Sequence, residues 1–396
     1  MQMWQKNLWT LVVAVILSGA SYTMVIPFLP LYLLELGVSH ENVKIWSGVV
    51  FAAAFLVAAF MAPYWGKRAD RSGKRQMIMR AGVMLAIAYF AGAWVRNPTE
   101  LLFVRIFQGF ANGFVPASMA LVASSAPPEK MSFCMGVMQA ALVTGGILGP
   151  MIGGLLSHLF GMRMSFVVSA AVILAATAAV KWLVFEPTKI VKPAETSLVE
   201  DLKMAFRNQV LVKMLGLLFV VQIVSMTLQP LMSLYVAELQ GSMEGVGLTT
   251  GFIFSLSGVA SALAAPLWGR AGARREMRGL LIVAFVGAGL FNMGQFFAST
   301  IIQFGALQFF MGLFFIGVFP AINMMALNSS DVGFHGRVFG LTNAATQLGS
   351  MVGPLAGGFV SSWTGIRPVF ILTGATLVLL GVYVFQLRLR DSSVSR

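Results

Sequence analysis

The chain has 396 residues, of which 58% are hydrophobic and 10% charged, and its mean hydropathy is +0.84. That is more apolar surface than a water-soluble core of this length can hide, which excludes a soluble globular enzyme and indicates a polytopic membrane protein. A formal charge of +13 would suit a nucleic-acid binder, but the basic residues are scattered among short segments and build no folded basic domain, so no nucleic-acid partner is expected.

In chain order, mostly apolar runs fall at 8–34, 46–65, 78–95, 101–123, 133–157, 165–185, 210–237, 249–268, 279–298, 302–326, 337–361 and 367–387. Each is about long enough to cross a hydrocarbon core of ~30 Å, so twelve transmembrane helices are expected. The first run follows Lys6 like a signal peptide, but it is too long and lacks a small-x-small cleavage site before Glu35, so it reads as the first span. With a cytoplasmic N-terminus, the clusters at 67–75, 189–207, 270–278 and 388–390 lie inside and only Lys44, Arg96, Arg163 and Arg367 outside. The positive-inside rule therefore places both termini on the cytoplasmic side of the membrane.

The polar connection "EPTKIVKPAETSLVEDLKMAFRNQ" at 186–209 separates six spans from six and carries a short helical pattern after Pro193. It divides an N-terminal bundle (1–185) from a C-terminal bundle (210–396) with a short cytoplasmic tail. The halves repeat each other: at an offset of 203 or 204 residues, "LYLLELG" (31–37) meets "LYVAELQ" (234–240), "APYWGKR" (62–68) meets "APLWGRA" (265–271), and "LGPMIGG" (148–154) meets "VGPLAGG" (352–358). Six spans per half is an even number, so the repeat is parallel, with a pseudo-twofold axis along the membrane normal and room for a cavity between the halves. A single cysteine, Cys134, excludes an internal disulfide framework, and three scattered histidines suggest no metal site. No segment assembles a nucleophile with a base and an orienting group, so no enzyme is expected.

The motifs sharpen this reading. "GKRADRSGKR" at 66–75 resembles the G-x-x-x-D-R-x-G-R-R/K signature of the major facilitator superfamily, between spans two and three. "RIFQGFANG" at 105–113 resembles the R-x-x-Q-G motif of span four, and "GGILGPMIGG" at 145–154, echoed at 349–358, the G-P-x-x-G-G motif of proton-driven antiporters. With "PFLPLYLLELG" and "WSGVVF", these make the whole chain similar to the drug:H⁺ antiporters of that superfamily, most closely the MdtG-like multidrug exporters. The resemblance implies two six-helix bundles, alternating access about a midmembrane site, export of amphipathic small molecules or drugs by proton antiport, a monomer, and no cofactor beyond the proton gradient.

Gly66 and Gly73 permit tight turns in the loop motif, and Arg71, Lys74 and Arg75 suit the anionic inner leaflet. Topology alone does not explain Asp70, since acidic residues contribute little to orientation. In the resembled family this aspartate meets the start of span eleven, which makes Asp70 a latch between the halves. The second copy, "GRAGARREMR" at 269–278, lacks the aspartate, so the latch is one-sided.

In span five, Gly145, Gly146, Gly149, Gly153 and Gly154 clear a helix face for close approach while Pro150 bends the helix; Gly353 and Pro354 repeat the pattern. Ordinary tight packing explains much of this, and the direction of transport rests on the resemblance. Arg105 is read as the only strongly basic residue deep in a span, with Gln308 as its repeat mate. Snorkelling and a cavity role are both open to it, the latter favoured. Amides at Gln108, Asn112, Gln139, Gln222, Gln229, Asn292, Gln295, Asn323, Asn343 and Gln347 serve either as interhelical glue or as cavity contacts. The 32 phenylalanines and 25 methionines permit a pocket tolerant of varied apolar molecules.

Spans one, four, seven and ten carry no midmembrane carboxylate, so the proton-carrying candidates are Glu35 and Glu238 near the outer ends of spans one and seven, and His158 at the outer end of span five. Hydrated helix-end carboxylates are the ordinary alternative. An Arg105–Glu35 charge pair is expected, with Glu238 the weaker member because its partner position is Gln308. Two rival functions stay open: export of an endogenous metabolite such as a siderophore, with Arg105 as its ligand, and a non-transporting membrane sensor on the same fold.

Overall fold

The structure, a computed structural model, describes residues 2–186, 207–272, 276–330 and 335–387, apart from the side chains of Asp70, Pro128, Ser132, His335, Gly336, Arg337 and Phe339. All regular elements among these residues are helical, as a chain crossing hydrocarbon requires when it must satisfy its backbone polar groups within each segment. The N-terminal half contains α1 (Met3–Thr23), α2 (Leu29–Glu35), α3 (Val43–Ser72), α4 (Lys74–Ala93), α5 (Pro98–Ala111), α6 (Phe114–Ser125), α7 (Met131–Phe160) and α8 (Met162–Leu183). The C-terminal half contains α9 (Gln209–Leu228), α10 (Met232–Gln240), α11 (Val246–Gly272), α12 (Met277–Gly294), α13 (Ile301–Phe315), α14 (Val318–Asn328), α15 (His335–Thr364) and α16 (Arg367–Gln386).

Pairs of these helices build the expected spans. α1 and α2 form span one across a short 3₁₀ turn at Ile26–Phe28, where Pro27 interrupts the helix, and α9 and α10 form span seven across the matching turn Gln229–Leu231 at Pro230. α5 and α6 form span four across a break at Asn112–Gly113, and α13 and α14 form span ten across a break at Ile316–Gly317. Eleven stretches are apolar over a bilayer-length window. The twelfth span, α15, is 30 residues long and more polar, because Asn343, Thr346, Gln347 and Ser350 lie along it. The helical pattern expected after Pro193 lies outside the described residues.

Atomic contacts repeat with the sequence. The buried Tyr32 hydroxyl donates to the Gly92 carbonyl at 3.0 Å, and its mate Tyr235 donates to the Gln295 carbonyl at 3.0 Å. Trp65 Nε1 donates to the Phe110 carbonyl at 2.9 Å, and Trp268 Nε1 to the Leu313 carbonyl at 2.7 Å. Arg75 reaches the Lys181 carbonyl from α4, as Arg278 reaches the Val384 carbonyl at 3.1 Å from α12.

The halves meet along two helix pairs, α3 with α15 and α7 with α11. Glycines set the spacing. A Cβ on Gly154 would lie 2.6 Å from the Gly247 carbonyl oxygen, one on Gly48 2.5 Å from that of Pro354, and one on Gly358 2.5 Å from that of Lys44. Ser255 Oγ donates to the Ile147 carbonyl at 2.7 Å, and Lys44 Nζ to the Ser361 carbonyl at 3.2 Å, both across the halves. These contacts lie toward the end of the bundle that carries α2 and α10, so that end is shut.

Candidate functional site: the cavity between the halves

A cavity of about 360 Å³ lies between the bundles, walled mainly by Tyr22, Phe55, Leu85, Tyr89, Leu142 and Met226. Most of this wall is apolar. Its polar groups come from both halves: Arg105, Gln108 and Asn112 on span four, Gln222 and Gln229 on span seven, Gln347 and Ser350 on α15.

Arg105 dominates this wall and is 1% exposed. Placing a guanidinium in a dry membrane interior costs several kcal/mol unless its donors are satisfied. Nη1 donates to Gln108 Oε1 at 2.6 Å, one helical turn along the same face, and Nε donates to the Val50 carbonyl on α3 at 3.2 Å. The Phe51 ring lies 5.8 Å from the guanidinium carbon, and Tyr22 and Tyr89 are its ionisable neighbours. Nη2 is buried with no acceptor in hydrogen-bonding geometry, and the Tyr22 hydroxyl stands beside the guanidinium as its polar neighbour. Among the described residues no Asp or Glu lines the cavity, so none of them gives the cation a carboxylate counter-ion there. Across the cavity, Gln229 Oε1 is a buried acceptor without a partner, and Gln222 Nε2 donates to Ser350 Oγ at 2.8 Å.

The repeat mate of Arg105 lies in a different setting. Gln308 Nε2 donates to Gln295 Oε1 at 3.2 Å inside the C-terminal bundle, where Asn292 Nδ2 donates to Thr373 Oγ1 at 2.8 Å. Asn292 and Gln295 are therefore core groups and lie off the cavity wall. Gln139 and Asn343 are exposed and Asn323 is half-buried, all outside the wall. Amide composition could not separate these groups, because a helix places an amide on the cavity or away from it according to neighbours that the sequence does not name.

The charged candidates need one correction. The charge acting on Glu35 is Arg163, at the start of α8, and Arg105 is not its partner. Glu238 pairs with Arg367, Nε to Oε1 at 3.2 Å, with both side chains near half exposed. Arg163 and Arg367 are themselves repeat mates, so each half sets an arginine near its acid at the α2 or α10 end, in direct ion-pair contact only for Glu238 among the described residues. The physical reason is that α2 carries Glu35 beyond the buried stretch of span four and into reach of the neighbouring α8. His158 is exposed on the last turn of α7.

At the opposite end, Gly73 adopts φ +92° between α3 and α4. Glu186 caps α4, its carboxylate accepting from the Lys74 and Arg75 backbone N–H groups at 2.8 and 2.9 Å. A side chain at Gly73 would collide with that carboxylate, 2.8 Å away. The described contacts of Gly73, Lys74 and Arg75 thus stay within one half. Arg71 and Gly66 are exposed, and the Asp70 side chain, on which the latch depends, lies outside the described residues.

The glycine motifs have two separate faces. Gly145, Gly149 and Gly153 abut α1, with a Gly145 Cβ 2.5 Å from the Ile16 carbonyl oxygen, whereas Gly154 and Pro150 abut α11 of the other half. Gly349, Gly353 and Gly357 likewise abut α9, while Gly358 and Pro354 abut α3. Gly146 meets nothing within 4 Å.

Sequence reasoning missed Arg80, which the expected third span already contained. It is half-buried, with its guanidinium carbon 3.6 Å from the centre of the Trp65 ring. The signal available was a second arginine inside a span that has no carboxylate.

Two repeated bundles closing on a cavity with a buried arginine define a membrane transporter of the two-bundle class. A sequence profile of the Major Facilitator Superfamily matches residues 11–249 and 218–396, and the chain belongs to that family. It is 32% identical over 377 residues to the multidrug resistance protein MdtG of Proteus mirabilis (strain HI4320), covering 94% of each chain. Among solved structures it resembles the nucleoside transporter NupG, with a TM-score of 0.78 at 15% identity over 96% of this chain and 100% of that one. It also resembles a bacterial homologue of the human lysosomal transporter Spinster, with a TM-score of 0.80 at 13% identity over 97% of both chains. The low identities to these two carry the fold alone.

Proposed function

We propose that the protein exports amphipathic small molecules by proton antiport, as a monomer in a bacterial inner membrane with both termini in the cytoplasm. The observation that carries this reading is the cavity wall: apolar over most of its surface, it offers a buried guanidinium whose polar neighbours are the Gln108 amide and the Tyr22 hydroxyl, and one amide acceptor, Gln229 Oε1, without a partner. Such a wall accepts varied apolar bodies and rewards a polar group placed between Arg105 and Gln229. The orientation rests on Lys67, Arg68, Arg71, Lys74 and Arg75 at the Gly73 end. In this orientation the α2/α10 contacts shut the outer face and the cavity serves the cytoplasm. The name of the Proteus relative supports drugs as the substrate class.

The missing counter-ion at Arg105 also favours a second reading, export of an endogenous carboxylate such as a siderophore, whose anion would supply the partner that the cavity lacks. A deletion strain separates the two: growth inhibition by amphipathic drugs supports the first, and iron-dependent loss of a secreted chelator the second. The purified protein should quench or shift the fluorescence of amphipathic dyes in a panel spanning positive, neutral and negative charge. Absence of binding across that panel, by folded protein, would refute the reading.

Proton coupling falls to Glu35, Glu238 and His158, since no carboxylate among the described residues lines the cavity. Each acid sits in the field of a repeat-related arginine at the end that must open for release. A carboxylate that exchanges its arginine for a proton as that end opens would link the two events.

A further inference from the structure

Span four is broken for two residues directly after α5, and the break is held by groups from two other helices. α5 ends at Ala111, and the chain restarts as α6 after Gly113, whose φ of +128° excludes ordinary side chains. The last carbonyls of α5 lack helical partners, a costly state inside a membrane. Trp65 Nε1, near the end of α3, donates to the Phe110 carbonyl at 2.9 Å. Arg80, on α4, donates from Nη2 to the Asn112 carbonyl at 2.9 Å and, at 3.4 Å, from Nη1 to the Phe110 carbonyl that Trp65 shares. The guanidinium stacks on the Trp65 ring at 3.6 Å, which fixes both donors relative to each other. Asn112 completes the turn by accepting the Gly113 N–H at 2.7 Å.

The C-terminal half has the tryptophan without the arginine. Trp268 donates to the Leu313 carbonyl and packs on Gly317, but Val283 or Ala284 stands where Arg80 would repeat. The charge is confined to the half that holds Arg105. From α4, Arg80 meets the negative end of the α5 dipole, at the close of the helix whose final turns carry Arg105 and Gln108 to the cavity, with Asn112 just beyond its last residue.

We infer that Arg80, stacked on Trp65, is a positioning residue of the transport site: it clamps the break in span four and so fixes Asn112 and the α5 face that carries Arg105 and Gln108. Trp65 immediately precedes the loop motif at Gly66, so the clamp also ties the end of α3 to the cavity wall. This deepens the transport reading and rests on it for its effect on turnover, while the clamp itself is testable without transport.

The experiment places a single thiol at Val115, a cavity-wall residue just past the break, in a Cys134→Ala background, and measures its rate of labelling by fluorescein maleimide in purified full-length protein. Arg80→Gln and Trp65→Phe are each expected to change that rate at least threefold. Arg80→Lys, which keeps the charge but cannot hold both carbonyls and stack as a plane, should fall between them and the parent. Trp268→Phe, which removes the equivalent bond in the other half, should leave the rate at the parental value. In dye transport the two clamp variants should raise the half-saturating concentration several-fold with a smaller change in maximal rate. Parental labelling in Trp65→Phe and Arg80→Lys, both folded by thermal melting, overturns the inference even if Arg80→Gln fails to fold. An equal change in Trp268→Phe also overturns it, because the effect would then be general packing. Altered labelling in a protein that transports no dye would leave the clamp standing and sink the proposed export.

Discussion

Arg105 is the residue on which the account turns, because a buried cation that meets no carboxylate among the described residues gains from a polar or anionic group bound beside it. Arg105→Ala is expected to cut transport at least about tenfold, and Arg105→Lys to retain part of it, since lysine keeps the charge but loses the fork that engages Val50 and Gln108 together. Initial transport rates at matched expression check this, and normal transport by the alanine variant would make Arg105 a packing residue. At the α2 end of span one, Glu35→Gln is expected to weaken the dependence of transport on ΔpH more than Glu238→Gln. The reason is that Glu238 already holds a direct ion pair with Arg367 that tethers it to α16, leaving it less free to exchange arginine for proton. Substrate-induced proton release in both variants tests the ordering, and wild-type release in both would move the coupling to His158. The depth of Arg105 was legible in the sequence as a charge in an apolar run. The partner of Glu35 was not, because which arginine it meets depends on α8 packing beside α2, and nothing in the local pattern of either helix specifies that neighbour.

Helix by helix, the glycines make the strongest separable statement. Gly149 is pressed against Thr23 and the Ala20 carbonyl of α1, within one half, whereas Gly154 is pressed against Gly247 of the other half. Gly149→Leu should therefore destabilise the N-terminal bundle by about 1–3 kcal/mol through overpacking, read as a lowered melting temperature in detergent. Gly154→Val should leave the bundles folded and instead loosen the α7–α11 seam, read as faster labelling of a cysteine introduced on that seam by Ser157→Cys in a Cys134→Ala background. Gly146→Ala, with open space around it, should do neither. If Gly154→Val melts the protein as Gly149→Leu does, the two faces are not separable. The glycine spacing announced close packing, but a stripe of small residues names no partner. Only the structure shows the alternation of α1 and α11 around α7. Span breaks were partly legible: Pro27 and Pro230 mark theirs, while the break after Asn112 rests on Gly113 and on donors from Trp65 and Arg80, which lie far away in sequence.

At the scale of the whole molecule, the two halves are one design used twice with its charges placed unequally. Tyr32 and Tyr235, Trp65 and Trp268, and Arg75 and Arg278 make matching contacts, yet Arg80 and Arg105 have no basic mates. Duplication supplies the hinge-like symmetry in which the α3–α15 and α7–α11 seams can open and close, and divergence concentrates the chemistry on span four. The measurement that tests this most directly is dye uptake by proteoliposomes under an imposed inside-acid gradient, with the wild type and Arg105→Ala compared at equal protein content. The account predicts accumulation by the wild type that vanishes when the gradient is collapsed and is at least about tenfold lower in the variant. Accumulation that persists without the gradient, or that is equal in the two proteins, would contradict it.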